Sequence, residues 1–528
     1  MPSVRILLSL LFILAVQGMC TWSFNRPQDV GADMAAGKLL SLSFAPYHEG
    51  YSPLTGKNPL PEHIDQDLGL ISDKTLGIRT YSIQGGMEPT PGFARKHGVA
   101  LIQGGWLGPS QDGNKQEIAA LIRAANKHAD VIKRVIVGNE VLLRNDMDVD
   151  TLIGYIRQVK RAVKQPVSYA DAWGTYLRYP QLINEVDFIT IHILPYWEDE
   201  PIAIEHATEH VEQIVLKIKA LQAGMGVDKP IMIGESGWPA AGRQRGLAVP
   251  SIINQARYIR GLIDVANRHH FDYNIVEAFN QNWKSQHEGV VGANWGLLSI
   301  DRKPVFPLSG QVEENPHWLK HFGLSGLIGV AIAACYGRKL KCLPLPQLLM
   351  FLTLNQLFAI ALISMSNVLL TTSYTDWQKW YAAFMVLVNI GLLVLLTPCI
   401  YRLLACQPVS ARLARLFKSS YLVVYLLALY STYDLAFNGR YLSFPVEQFS
   451  LPALGVAGLL ISGWLQRQPA AGLAKLGCAH QRWLAGLMGF GVVALLWGET
   501  SAFLHARDFV MVHPGLREGL PLALFYTF

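Results

Sequence analysis

The sequence predicts a (β/α)8 barrel followed by an all-α multispan transmembrane domain, and three observations carry that expectation. Between residues 39 and 283, eight short runs rich in Val, Ile and Leu alternate with amphipathic stretches at helical spacing. Several of the runs are nearly continuous in apolar residues, as parallel strands covered on both faces should be. Charge then thins abruptly: residues 323–528 hold only 14 of the 45 Lys and Arg and 6 of the 39 Asp and Glu. The overall charge of +6 therefore belongs to the apolar half and is no sign of nucleic-acid binding.

The chain opens on an apolar run over residues 6–16, behind Arg5. Residues 1–24 read as a signal peptide or an N-terminal transmembrane anchor, and either delivers the following domain across a membrane. Residues 25–322 would supply the barrel. Strands are expected at 39–47, 76–82, 98–106, 131–140, 166–173, 186–197, 230–239 and 273–283. Helices are expected at 114–129, 148–164, 206–223 and 250–269. Asp148 is placed to cap the second of these, with Pro166 just past its end, and Pro250 fits the first turn of the last. None of the six cysteines falls within residues 21–322, so this domain needs no disulfide.

Residues 323–528 would form the transmembrane domain of about six helices, at 323–337, 347–370, 381–400, 419–437, 449–465 and 483–504, with a short C-terminal tail. Most are near the ~20 residues that a bilayer requires; the first is short and the fifth carries Pro452. Basic residues alternate between the connections. Arg338, Lys339 and Lys341, then Arg402, Arg412, Arg415 and Lys418, then Arg467, Lys475 and Arg482 face only Lys379 and Arg440 on the opposite side. Basic loops in the cytoplasm make this a multi-pass inner (plasma) membrane protein with the barrel on the periplasmic or extracellular side. Asp434 and Glu499 sit within or near the outer ends of apolar segments, as functional groups on a path or docking surface or as interfacial carboxylates reaching water.

Glu140 closes RVIVGNE, and Glu235 lies in PIMIGESGWP, each at the end of a strand-like run. A parallel barrel presents its catalytic groups just past the carboxyl ends of its strands. On the fourth and seventh strands, two carboxyls would face each other across the mouth. That pair is the minimum equipment for breaking a glycosidic bond: one donates a proton to the leaving oxygen and the other attacks the anomeric carbon. A separation of about 5 Å would make the reaction retaining. A lone strand-end Glu is more often a solvated loop residue, but two in matching contexts point to a site. No HExxH, CxxC pair or phosphate loop occurs, and the reaction needs no metal or other cofactor.

The motifs resemble glycoside hydrolase family 17, the β-1,3-glucanases and β-1,3-glucanosyltransferases. The matching pieces are SFAPY at 43–47, IRTYS at 78–82, VGNE at 137–140, PYW at 195–197, GESGWP at 234–239, EAFNQNWK at 277–284 and WGLLSIDRKP at 295–304. They stand in the right order and span about residues 40–322. The resemblance implies that Glu140 is the acid/base and Glu235 the nucleophile. It also implies the bacterial membrane-attached type, similar to glucanosyltransferases that remodel or branch β-glucan. Asn139, beside the acid, could bond the sugar 2-hydroxyl. Tyr47, Tyr81 and Tyr196 could orient the nucleophile or touch sugar, or equally be core tyrosines. Trp173, Trp197, Trp238 and Trp283 are candidate platforms for pyranose rings, one or two of them core. Lys284 and Glu288 look like polar residues of the family's cleft, with Glu277 behind them, while Asp171 and His192 read as polar residues at the barrel rim.

The expected function is transfer of β-1,3-glucan chains to sugar acceptors through a covalent glycosyl-enzyme intermediate. A tethered enzyme is well placed to remodel, elongate or branch glucan emerging from the same membrane, with a membrane glucan synthase as partner. Release of the glycosyl group to water is the first alternative. A non-catalytic glucan-binding scaffold of an export complex is the second.

Overall fold

The computed structural model describes residues 2–33, 37–438, 442–466 and 478–505. It divides into two compact units: Pro27–Glu313, and the described residues up to Arg26 together with those from Glu314 onward.

Pro27–Glu313 fold into a closed parallel barrel with strands in sequence order. The strands are β1 (Leu42–Ser43), β2 (Gly77–Arg79), β3 (Ala100–Gly105), β4 (Ile132–Asn139), β5 (Val167–Ala172), β6 (Ile189–His192), β7 (Ile231–Ser236) and β8 (Asp272–Ile275). Seven lie inside the expected runs, and the eighth begins one residue early. The four expected helices span Gln111–Lys127, Val149–Ala162, Ile204–Gly224 and Ile252–His269. Asp148 caps the second, accepting from the Thr151 N–H at 2.9 Å. Pro250 stands outside the last one: Ser251 is the N-cap, accepting from Asn254 N–H at 3.0 Å. A side-chain oxygen satisfies an orphan N–H, which proline cannot do, so the serine sets the boundary.

Alternation along the strands sorts the core. Val135 and Val137 of β4, and Ile231 and Ile233 of β7, pack outward in the large cluster under the helices. Ile136 and Met232, between them, join Ala170 and Phe188 in a small separate cluster that fills the barrel interior. Toward the carboxyl ends of the strands, register shifts interrupt the pairing of β4 with β5, β6 with β7 and β7 with β8. Such irregularities re-aim side chains, and these fall on the strands that carry the site.

Among its described residues, the second unit contains six helices long and apolar enough to cross a membrane: Val4–Phe24, Trp318–Leu340, Leu345–Thr371, Asp376–Leu404, Ala411–Phe437 and Val446–Leu465. A seventh helix, Cys478–His505, carries the shorter apolar stretch Arg482–Gly498. The segment expected at 323–337 is longer than the sequence suggested, because Trp318–Phe322 already belong to its helix. Pro452 lies within Val446–Leu465 without ending it. Thr375 caps Asp376–Leu404 with Gln378 in a reciprocal capping box.

The N-terminal helix runs antiparallel to Trp318–Leu340. Arg5 donates to the carbonyl of Leu343 at 2.6 Å, and Gln17 donates to Ser325 Oγ at 2.8 Å while accepting from Gln356 at 2.7 Å. Asp434 is half-buried on its helix. The Glu499 side chain, Arg440, Arg467 and Lys475 lie outside the described residues.

Candidate active site

The site begins with an awkward backbone. β4 ends at Asn139, and Glu140 takes a left-handed conformation with φ 52°. For a residue with a Cβ this costs about 1–2 kcal/mol, so the surroundings must enforce it. Its N–H donates to Ala170 O at 2.8 Å, and its carbonyl accepts from Arg144 N–H at 2.9 Å. The Arg144 guanidinium closes the turn by donating to the carbonyls of Asn139 and of Leu107 and by pairing with Asp146.

Glu140 and Glu235 then converge on one imidazole. One donor atom each from Glu140, His192 and Glu235 lie within 4.8 Å of one another. Nδ1 of His192 is 2.8 Å from Glu140 Oε1, and Nε2 is 3.6 Å from Glu235 Oε1. Arg79 of β2, only 1% exposed, organises the floor. Its Nη1 donates to Glu235 Oε1 at 3.2 Å and to Gly234 O at 2.7 Å, and its Nη2 donates to Asn139 Oδ1 at 2.6 Å. One guanidinium thus fixes the strand ends of β4 and β7 relative to each other. Burial raises the Glu140 carboxyl, but its hydrogen bond to His192 and the charges of His192, Arg144 and Arg79 outweigh that and leave it below the usual carboxylate range.

Two carboxylates and an imidazole are also a donor set for a divalent ion. Arg79, however, already places a fixed positive charge 3.2 Å from the Glu235 oxygen, where a second cation would be repelled. Two carboxyls beside an imidazole can also hold and pass protons.

The eighth-strand region adds a second charged cluster. Lys284 donates to Glu277 Oε1 at 2.9 Å, and Glu277 is buried. Burial pushes the Glu277 carboxyl up to about 7 against the pull of Lys284. Glu288 is half-buried and also raised, first by burial and then by the nearby charges of Glu235 and Glu140, so it shares their electrostatic neighbourhood. A carboxyl with a higher pKa folded than unfolded binds its proton more tightly in the native state. Its stabilising contribution is therefore complete below about pH 4.5 and is lost as pH rises through about 7. The difference in melting temperature between wild type and Glu277→Gln should be flat below that window and fall against wild type across it, as thermal unfolding at stepped pH will show.

The expected sugar contacts divide. Tyr47 is half-buried and meets Trp283 edge-to-face at 6.1 Å, and the Trp283 indole N–H is held by Gln281 at 2.8 Å. Tyr81 lies beneath the Arg79 guanidinium, 4.8 Å from its ring centroid, and bonds Ser43 Oγ at 2.8 Å. Trp173 and Trp197 are half-buried; the first donates to Glu198 at 3.0 Å, and the second stacks on Trp295 at 6.5 Å. Tyr196 and Trp238 are not surface platforms. Both are fully buried, with Tyr196 donating to the carbonyl of Arg243 and the Trp238 indole to that of Val249 at 3.0 Å. Their polar atoms are spent on the loop after β7, and their rings form its packing.

Sequence reasoning passed over Arg79, Arg144 and Trp106. Arg79 stands inside the quoted IRTYS run, and a lone guanidinium in an apolar parallel strand is a signal in itself, because such a charge must find a buried partner. Trp106, directly after β3, is 45% exposed with the Arg144 guanidinium 4.3 Å from its ring centroid. It ends its run as Glu140 does.

Residues 41–296, which contain this whole constellation, match the family model of the BtgE/BtgC glycoside hydrolase domain. The barrel belongs to glycoside hydrolase family 17. A glucan 1,3-β-glucosidase of Schizosaccharomyces pombe is 26% identical over 239 residues, 42% of this chain and 74% of that protein. A probable β-glucosidase of Aspergillus flavus is 23% identical over 277 residues, but the chain spans only 42% of its length. Among solved structures, the family 17 β-1,3-glucanosyltransferase of Rhizomucor miehei aligns with a TM-score of 0.45 at 23% identity, covering 52% of this chain and 98% of that one. These similarities fall on the family 17 barrel.

Proposed function

We propose that this chain is a retaining enzyme of β-1,3-glucan that passes a glucan segment from a covalent glycosyl-enzyme intermediate to a sugar acceptor. The observation that carries the reading is the approach of a Glu140 oxygen to within 4.8 Å of a Glu235 oxygen in the mouth of a family 17 barrel. Retaining glycosidases hold their carboxyls about 5–5.5 Å apart, whereas inverting ones leave room for a water at about 6.5–9.5 Å. In this reading Glu235, fixed by Arg79, attacks the anomeric carbon while Glu140 gives its proton to the leaving oxygen, and Glu140 then takes a proton from the acceptor hydroxyl. Asn139 has its Oδ1 committed to Arg79, which leaves the amide hydrogens for the sugar 2-hydroxyl. Trp106, Trp173, Trp197 and Trp283 supply aromatic surface for further rings, and Lys284 and Glu288 polar contacts.

β-1,3-Glucan as substrate is supported by the names of the similar glucosidases. Transfer is supported by the membrane-type helices, because an enzyme tethered to a membrane is well placed to act on polymer leaving a membrane-bound glucan synthase. Incubating the full-length protein in nanodiscs with laminari-oligosaccharides of one length should yield products longer than the donor. Shorter products alone would mean that water is the acceptor, and an unchanged donor would contradict the reading.

In this reading the barrel lies on the periplasmic or extracellular side, which the basic connections between the apolar helices favour, and the N-terminal helix is retained as an anchor. The Gln17 amide supports retention: it joins two neighbouring helices, and cleavage would leave Gln356 and Ser325 without these partners. An N-terminal tag should remain on the mature protein and be inaccessible from outside intact cells. Its loss during maturation would contradict the anchor.

A further inference from the structure

The inference rests on the roles just given to Glu140 and Glu235, and it concerns the imidazole between them. Arg79 Nη1 carries two hydrogens, and both have acceptors, Gly234 O at 2.7 Å and Glu235 Oε1 at 3.2 Å. None remains for His192 Nε2, which lies 3.4 Å from Nη1. The nearest acceptor to Nε2 is Glu235 Oε1 at 3.6 Å, the group that a hydrogen carried on Nε2 would face. The other ring nitrogen, Nδ1, stands 2.8 Å from Glu140 Oε1. At that length one proton lies between nitrogen and oxygen, borne by one or the other.

The imidazole is held for this geometry. It is 3% exposed at the end of β6, and a Cβ on Gly234 would come within 3.2 Å of its Cδ2 and Nε2. The charged groups around it are Glu140 just past β4, Asp171 from β5, Glu235 from β7 and Arg79 from β2.

We propose that His192 stores the catalytic proton, sharing it with Glu140 through Nδ1 while its Nε2–H faces the nucleophile. In the resting site the imidazolium and two carboxylates hold the same protons as a neutral imidazole beside a protonated Glu140. In the first step Glu235 forms its bond to the anomeric carbon and the glycosidic carbon–oxygen bond breaks. The shared proton passes through Glu140 to the leaving oxygen, and His192 is left neutral with its hydrogen on Nε2. In the second step the acceptor oxygen bonds the anomeric carbon, the Glu235 ester opens, and the acceptor's proton goes to Glu140 and back to Nδ1. The count closes over the cycle. This also explains how a carboxyl held below the usual range serves as an acid: the proton it delivers is kept on its neighbour. His192 is a positioning residue here, because it acts through Glu140 and touches no sugar in this account.

The test compares leaving groups. With wild type and His192→Gln in nanodiscs, kcat/KM is measured against pH on laminaritetraose, whose leaving oxygen needs a proton, and on 2,4-dinitrophenyl β-laminaribioside, whose leaving group does not. His192→Gln should lower the first by about 10²-fold and the second by less than about threefold, and should move the alkaline limb for laminaritetraose to lower pH. His192→Asn, checked for an unchanged melting temperature, serves if the Gln variant does not fold. Equal losses on the two substrates, or an unmoved alkaline limb, would overturn the proposal. If Glu140→Ala shows the leaving-group selectivity that His192→Gln lacks, the acid assignment stands and this inference alone falls. A wild type that cleaves neither substrate would remove the functional reading itself.

Discussion

Glu235→Ala is expected to lower turnover of laminari-oligosaccharides by about 10⁴-fold or more, because it removes the group that forms the intermediate. The loss should have a specific chemical repair. With an aryl β-laminaribioside, added azide should occupy the vacated face and restore product as the α-glycosyl azide. Glu140→Ala should behave differently: it keeps the nucleophile, so azide can act only on the second step and gives the β-glycosyl azide. Product configuration read by proton NMR therefore assigns the two glutamates independently. Azide giving the β product with Glu235→Ala would reverse the assignment.

The second large effect should come from Arg79→Met. The guanidinium is almost fully buried and bonds Glu235, the Gly234 carbonyl and Asn139 at once. Methionine fills much of the volume but leaves the carboxylate and the Asn139 amide oxygen without this donor, while the Gly234 carbonyl keeps Asn274 at 3.0 Å. Removing one side of a buried ion pair costs about 3–5 kcal/mol. The barrel's unfolding midpoint in denaturant should fall accordingly, and kcat should fall with it because the positions of Asn139 and Glu235 are no longer tied together. Arg79→Lys restores the charge but not the two-pronged geometry that reaches both strands, so it should recover stability better than activity. A midpoint unchanged in Arg79→Met would show that the floor of the site is held by other contacts.

Much of this was open to reading in the chain itself, for identifiable reasons. Parallel strands buried on both faces leave long apolar runs, and each run here contains its strand to within a residue. Asp148 shows as a cap because its oxygen sits at the one spacing that reaches Thr151 N–H. Glu140 and Glu235 stand out because a charge at the end of such a run is conspicuous. What the chain conceals is direction. Tyr196 and Trp238 end strands as convincingly as Trp106 does, yet the first two turn under the loop after β7 while the third stays open beside Arg144. Register shifts near the carboxyl ends of β4, β6 and β7 decide where a side chain points, and nothing in residue type announces them. The link between His192 and both glutamates is hidden for the same reason: residues on three different strands meet only once the barrel closes. Gln17 is a further case, since one amide in an apolar helix gains its meaning from Ser325 and Gln356, more than 300 positions away.

The proposed mechanism turns on a covalent bond between one sugar and Glu235, formed because the two carboxyls stand close enough to share a ring. A 2-deoxy-2-fluoro-β-laminaribiosyl fluoride should trap that bond, since the 2-fluorine slows both steps while the good leaving fluoride keeps the first fast enough for the intermediate to accumulate. Mass spectrometry of the digested protein should find the added disaccharide on the peptide containing Glu235, and on that peptide alone. An unmodified active enzyme, or a label carried by Glu140, would contradict the account.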